Sequence, residues 1–203
     1  MSNSNLLFAN YLRRVREKPK WMLNLLLLII ISILITWVTN SFVDYYEELV
    51  NTGLTPTDAE NLAGVSIVFS YVMYVFLALL MIIVNFVSLL LISRIMKSNI
   101  SAYSIYSASV FITLISYIVT FIVMVIQWAF NLDPTVVNIT SMNILDEGNR
   151  LLGTIDLQHI ISGYLFGVVL YSTSQLHTKH VWIWSIIYII ITIIASYLLL
   201  SVL

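Results

Sequence analysis

Long stretches without a charged side chain divide the chain into five apolar segments. These segments lie between acidic or basic residues and cover 21–43, 61–93, 98–132, 157–178 and 180–203. A transmembrane helix needs about 20 consecutive apolar residues, and a charge near its centre is costly. The pattern therefore predicts an all-α polytopic membrane protein with five transmembrane helices, near 22–42, 66–91, 104–128, 157–176 and 181–203.

The second and third apolar segments are longer than one bilayer requires. Segment 61–93 would form about 50 Å of helix at 1.5 Å per residue, against a hydrocarbon core of about 30 Å. Thr55-Pro56-Thr57-Asp58 precedes it and is typical of a helix start, because Thr caps, Pro suits the first helical position and Asp suits the positive end of the dipole. We expect this helix to begin outside the membrane. The loop that opens at Asp133-Pro134 is expected to carry a short helix.

The chain before the first span is amphipathic over residues 6–17. Its apolar residues fall on one side of a helical wheel, and Arg13 and Arg16 fall on the other. The pattern predicts an interfacial helix on the anionic lipids of the cytoplasmic leaflet. Alternatively, the basic residues only set the topology. The residues expected at the membrane surface are Arg13, Arg14, Arg16, Lys18, Lys20 and Trp21.

The chain is predicted to consist of a cytoplasmic lead (1–20) and a five-span domain (21–203). In this arrangement the basic and acidic residues are segregated to opposite sides of the membrane. The lead, the loop after the second span and the last turn hold eight of the nine basic residues, and the two opposite loops hold nine of the ten acidic ones. Since cytoplasmic loops carry an excess of Lys and Arg, we expect the N-terminus inside and the C-terminus outside. The Ile- and Asn-rich composition favours a bacterial cytoplasmic membrane.

Composition excludes the soluble classes of protein. Hydrophobic residues make up 60% of the chain and charged residues 9%, and the mean hydropathy is +0.97. A soluble domain is roughly 45–50% apolar and about 25% charged. A water-soluble enzyme, a disordered chain and a nucleic-acid binder are therefore excluded. The absence of cysteine excludes disulfides and thiolate metal sites.

Few residues inside the predicted spans could carry chemistry. The first three spans hold no acidic or basic side chain, and Asn85 is their deepest strongly polar residue. The three histidines are divided by the topology, because His159 lies at the outer end of the fourth span and His177 and His180 flank the inner turn. We therefore expect no catalytic, cofactor or metal site, and no enzymatic activity.

The fourth span is the least hydrophobic and carries one stripe of small and polar residues. Gly163 and Gly167 permit another helix to approach closely, while Asp156 and His159 are one turn apart and able to hydrogen-bond. We expect the stripe to face protein, and Val168 and Val169, which lie off it, to tolerate replacement by Leu. Alternatively, Asp156 and His159 bind a ligand, an ion or a partner. The predicted helix-packing residues are Gly163, Gly167 and Ser174, and the candidate polar contacts are Asp156, His159 and Asn85.

Four features of the chain resemble the Yip (Ypt-interacting protein) family. They are the five-span layout, the Lys-Pro before the first span, the glycines of the fourth span and the entry to that span, Leu152-Gly153-Thr154-Ile155-Asp156-Leu157. The resemblance covers most of the chain and is greatest to bacterial members. The longer cytoplasmic region and the Tyr-Gly-Tyr-like motif of eukaryotic relatives are absent. The resemblance implies a non-enzymatic membrane adaptor, and Rab binding is not carried over.

Three functions fit these observations. The first is a membrane scaffold or adaptor that acts through helix–helix contacts with itself or other membrane proteins. The second is a transporter subunit, either permease-like or accessory to an ABC exporter, which some bacterial members of the family resemble. The third is defence against membrane-active peptides. The expected partners are the bilayer, anionic lipids at the N-terminal helix and other membrane proteins or a second copy, with no nucleic acid.

Overall fold

The computed structural model describes residues 6–134, 136–146 and 149–202. The helices in these ranges follow one another along the chain as α1 (Ala9–Glu17), α2 (Met22–Asn40), α3 (Tyr45–Asn51), α4 (Pro56–Ile95), α5 (Ala102–Ala129), α6 (Arg150–Gly153), α7 (Leu157–Ser172) and α8 (Thr178–Val202). A short 3₁₀ helix (Met142–Leu145) precedes α6 in the loop between α5 and α7. This loop thus contains short helices, as the sequence predicts.

Helices α2, α4, α5 and α8 are each long and apolar enough to cross a membrane, and α7 is a shorter apolar helix of 16 residues. The chain is therefore an all-α, multi-pass membrane protein. The helix predicted for 157–176 is too long, because α7 ends at Ser172. Beyond it the backbone turns through Gln175, whose φ is +55°, and the N–H of Leu176 donates to the carbonyl of Leu170 at 3.1 Å. This bond closes the turn that leads into α8.

Helix α4 extends past its neighbour α2. It begins at Pro56 with Thr55 as its cap, as predicted, and the Thr55 hydroxyl accepts a bond from the N–H of Asp58 at 3.3 Å. The last residue of α2, Asn40, donates to Ser70 of α4 at 3.0 Å. The first 14 or so residues of α4 therefore project about 21 Å beyond α2, and α3 packs along them.

The two ends of the bundle differ in charge and are named accordingly. The basic end is where α4 ends and α5 begins, and it carries Arg94, Lys97 and Lys179. The opposite, acidic end carries Asp133 and Asp156. Aromatic side chains lie near both ends, as they do at membrane interfaces. Trp37 contacts Trp128 near the acidic end, and Trp21 donates to the Tyr103 hydroxyl at 2.9 Å near the basic end.

Helix α1 is amphipathic, and its apolar side packs on protein. Ala9, Leu12 and Val15 are buried against α5 and α7. The Ser104 hydroxyl, at the start of α5, donates to the carbonyl of Arg16 at 2.9 Å. The other end of α1 reaches the level of Tyr164, in the middle of α7. The bundle thus covers Leu12 and Val15 of the predicted apolar stripe, whereas Leu7 (63% exposed) and Tyr11 (38% exposed) remain open.

Helix α7 is central and is buried on nearly every side. Helices α1, α4, α5 and α8 all contact it. Val168 and Val169 are only 2% and 0% exposed, so the expectation that both tolerate Leu was wrong. The helical wheel separates small residues from large ones, but an apolar residue that faces lipid looks the same in sequence as one that faces a neighbouring helix.

Candidate functional site

A groove runs between α4 and α8, with α7 as its floor. Its volume is about 620 Å³. Phe166 and Tyr188 in its floor are buried, whereas Leu91 and Ile191 on its two rims are more than half exposed, so the groove opens sideways towards lipid. It extends along α4 from Met81 to Ile95 and along α8 from Trp184 to Ser196, a length of about 20 Å.

Small and hydroxyl-bearing residues line part of the groove. Thr192, Ala195 and Ser196 recur at helical spacing on the α8 wall, Ser88 lies on α4 and Ser162 on α7. Transmembrane helix interfaces are enriched in such residues, because they let backbones come close and provide hydrogen bonds. The composition of this wall therefore suits a helix better than an acyl chain.

A hydrogen-bonded polar centre lies behind the groove and shares Tyr188 with its lining. Asn85 of α4 is 5% exposed. Its amide nitrogen donates to the Thr113 hydroxyl of α5 at 3.0 Å, and its amide oxygen accepts from the Tyr188 hydroxyl of α8 at 2.9 Å. The Tyr188 ring stacks on Phe166 of α7, with ring centroids 4.3 Å apart. Asn85 thus joins three spans and fixes α8 relative to α4 across the groove.

The two glycines of α7 form its contact with α8. A Cβ atom added to Gly163 would overlap the Ile189 side chain, and one added to Gly167 would overlap the Ser185 hydroxyl. The Ser185 carbonyl would lie 3.3 Å from the added Cβ at Gly163. Both glycines therefore allow an approach that a side chain would prevent, and this close pairing sets the position of α8, which forms one wall of the groove.

Asp156 and His159 lie at the acidic end but do not form the expected side-chain pair. The Asp156 carboxylate caps α7 through the N–H of Gln158 at 2.8 Å and accepts from the Asn138 amide at 3.0 Å. His159 Nε2 instead lies 3.2 Å from the Ser196 hydroxyl of α8, at the end of the groove. Capping competes for the carboxylate, because it satisfies a helix N–H that has no intrahelical partner.

Ser174, the third predicted packing residue, contacts α4 rather than α8. Its hydroxyl lies 2.7 Å from that of Ser93, and its carbonyl accepts from the Ser98 hydroxyl at 2.7 Å. These bonds tie the end of α7 to the end of α4 at the basic end of the bundle. The stripe predicted on the fourth span therefore serves two different neighbours.

The predicted surface residues divide into two groups. Arg14, Lys18 and Lys20 are exposed. Arg13 and Arg16 are half-buried and line a cavity of about 370 Å³ beside α7. The Arg13 guanidinium lies 6.0 Å from the centre of the Tyr171 ring, within the range of a cation–π contact. The basic segment thus contributes two side chains to a formed cavity and three to the surface.

Sequence reasoning missed several residues that hold the site together. Thr113 and Tyr188 complete the polar centre, Asn138 binds Asp156, and Ser93 binds Ser174. A strongly polar residue deep in a span, such as Asn85, indicates that a partner exists. The partner itself, Tyr188, is 103 residues away, and nothing local in the sequence points to it.

Comparison with known proteins returned no match for this chain among protein-family models, curated proteins or solved structures. Within 6–134, 136–146 and 149–202, no group of three His, Asp or Glu side chains lies close enough together to hold a metal ion.

Proposed function

We propose that this protein is a non-enzymatic membrane adaptor that binds a transmembrane helix of another membrane protein in the groove between α4 and α8. The observation that carries the proposal is the lateral groove itself, which opens towards lipid and has small and hydroxyl-bearing side chains on its walls. The resemblance to the Yip family supports the same role, since that family consists of membrane adaptors.

A helix is a better occupant than lipid for an energetic reason. Acyl chains are as apolar as the leucines that they would contact, so association in lipid depends on close packing and on hydrogen bonds between helices. Ala195 and Ser196 leave room for close packing, and Ser88 supplies a hydroxyl group, whereas the hydroxyls of Thr192 and Ser196 already bond to Ile189 and His159. The groove is about 20 Å long, which is two-thirds of the hydrocarbon thickness of about 30 Å.

The exposed position of α8 favours this use. Its main contact is with α7. Only 11% of the residues in its most apolar stretch of 18 are buried, compared with 28–39% in the other three long apolar helices. A partner helix in the groove would cover one side of α8, whose contacts within the described chain apart from α7 are a small one with α6 and the Tyr188–Asn85 hydrogen bond.

Site-specific photocrosslinking tests the proposal in the native membrane. A photoreactive residue at Ala195 faces the groove, whereas one at Ile190 is about as exposed to lipid but lies outside it. We expect a discrete protein adduct from position 195 and none from position 190. Filling the groove with Ala195→Trp should abolish an adduct formed from Leu91 on the opposite rim, while Ile190→Trp should leave it intact.

The identity of the adduct separates the candidate functions. A second copy of this chain or another membrane protein supports the adaptor. Adducts with lipid alone at both positions would overturn it. A crosslinked permease that co-purifies with an ABC ATPase would favour the alternative, a transporter subunit, over a general scaffold.

A further inference from the structure

The cavity beside α1 has features that the proposed adaptor function does not use. It lies near the basic end of the bundle, between the second half of α1 and the turn after α7. Its lining consists of Arg13, Arg16, Glu17, Tyr171, Ser172, Gln175 and Leu176. We call it the polar pocket. Two guanidinium groups against one carboxylate give it a net positive charge.

Two groups in the wall of the polar pocket keep unused hydrogen-bonding capacity. Ser172 is 2% exposed, and its hydroxyl oxygen has no hydrogen-bond partner among the described residues. The same holds for Nη1 of Arg16, which is buried. Burying such a group without a partner is unfavourable, and most buried polar atoms in proteins are paired. The pocket wall therefore encloses two donors without an acceptor, and each reaches a ligand in the pocket through a change of side-chain rotamer.

A second, apolar cavity adjoins the polar pocket. It has a volume of about 290 Å³ and lies between α1, α7 and α8, where Leu6, Val168, Val181 and Trp182 line it. We call it the apolar crevice. Tyr171 belongs to the lining of both cavities. A cationic pocket near the basic end thus lies next to an apolar space, with Tyr171 between them, and this space extends along α7 as far as Tyr164.

We propose that the polar pocket binds the phosphate group of an anionic phospholipid, with one acyl chain in the apolar crevice. A phosphate supplies acceptors for Arg16 and Ser172, and a planar guanidinium matches its geometry. The neighbouring crevice favours a lipid over free phosphate, because it accommodates a chain attached to the same headgroup. With the basic end in the cytoplasmic leaflet, the site faces the side where anionic lipids concentrate.

The bound lipid would join α1 to α7. Arg13 and Arg16 belong to α1, whereas Tyr171 and Ser172 belong to the end of α7. A lipid that touches both would hold the amphipathic helix in its buried position. This role is independent of the groove between α4 and α8, so either proposal can fail without the other.

Native mass spectrometry of the full-length protein in detergent tests the site. The protein would be titrated with phosphatidylglycerol, phosphatidylcholine, glycerol phosphate or inorganic phosphate. We expect one tight phosphatidylglycerol molecule, at least tenfold weaker binding of phosphatidylcholine and no comparable binding of the two chain-free phosphates. Equal affinity for both lipids would overturn the proposal. Binding of inorganic phosphate as tight as that of the lipid would identify a free anion instead and refute the lipid.

Matched variants locate the binding to the pocket. Arg16→Gln should weaken phosphatidylglycerol binding about tenfold, since hydrogen bonds to charged groups are the stronger ones. Arg14→Gln removes the same charge from an exposed position of the same helix and should change binding less than twofold. Equal weakening by both variants would indicate diffuse surface attraction and refute a site.

The exposed Glu17 provides a gain-of-binding test that does not depend on damaging the fold. Its carboxylate faces the pocket and repels an anion, so Glu17→Gln should tighten phosphatidylglycerol binding several-fold. An unchanged or weakened affinity in Glu17→Gln would contradict an anion in the polar pocket, even if Arg16→Gln fails to fold.

Discussion

Replacing the α7 glycines by alanine tests the contact that holds α8, one wall of the groove, against α7. Alanine adds one Cβ atom and nothing more. At Gly163 that atom would overlap the Ile189 side chain and come within 3.3 Å of the Ser185 carbonyl, which is backbone. At Gly167 it would overlap the Ser185 hydroxyl, which can rotate away. Gly64 of α4 has no neighbouring atom within 4 Å of the added Cβ and is the matched control.

The expected sizes follow from two opposing terms. Alanine favours a helix over glycine by about 1 kcal/mol, and this gain is common to all three positions. Overpacking a fixed interface costs about 1–3 kcal/mol, and this cost applies in full at Gly163. At Gly167 the Ser185 side chain has to rotate, and it then loses its 2.9 Å hydrogen bond to the Val181 carbonyl. Losing one such bond in a membrane costs on the order of 0.6 kcal/mol. The expected order of stability is Gly64→Ala, then Gly167→Ala, then Gly163→Ala.

The free energy of unfolding can be measured by titrating bicelle-embedded protein with sodium dodecyl sulfate and following helicity by circular dichroism. We expect Gly163→Ala to unfold about 1–3 kcal/mol more readily than Gly64→Ala. The comparison between variants cancels the shared helix-propensity term. Equal stability of Gly163→Ala and Gly64→Ala would mean that α8 does not pack on that face of α7, and the geometry of the groove would fall with it.

Three further predictions concern the polar contacts and the orientation. Asn85→Leu should lower the unfolding free energy by about 1–2 kcal/mol and Tyr188→Phe by about 0.6 kcal/mol. A double-mutant cycle should show that the two effects are coupled, and additive effects would mean that the two side chains do not bond in the membrane. Asp156→Ala should lower the stability by about 1 kcal/mol and Asp156→Asn should leave it almost unchanged, since Asn caps a helix as well as Asp does. Equal losses of stability in thermal melts would show that the charge of Asp156 matters and its capping bond does not. A reporter that is active only outside the cell should work when fused after Leu203 and fail at the N-terminus, and the opposite result would exclude the expected orientation.

The long helices of this fold were largely predictable, because each depends on a local signal, whereas the short helix α3, which Asp44 caps, was not predicted. The gaps between charged residues locate the long apolar helices, and Thr55-Pro56 marks the start of α4. The end of α7 was not predictable, since Thr173 and Ser174 are compatible with a continuing helix. What ends it is a turn at Gln175 held by bonds to Ser93 and Ser98 of another part of the chain.

The site was predictable only where one residue reveals its own role. Gly163 and Gly167 indicate a close helix contact by their spacing, and a buried amide such as Asn85 indicates a partner. The surroundings of Val169 and the partner of Asp156 depend on which elements meet in three dimensions. Hydropathy cannot supply this information in a membrane protein, because lipid and protein interiors are equally apolar.

The placement of α1 has a consequence for the order of folding. Helix α1 ends at Glu17, whereas α5 begins at Ala102 and α7 at Leu157, so α7 follows α1 by about 140 residues of synthesis. Since synthesis proceeds at about 5–20 residues per second, the apolar side of α1 lacks its contact with α7 for about 7–28 s. An amphipathic helix without a protein partner rests in the membrane interface. We therefore expect the leaflet affinity predicted from the sequence to act during assembly, before α7 covers Leu12 and Val15 of α1.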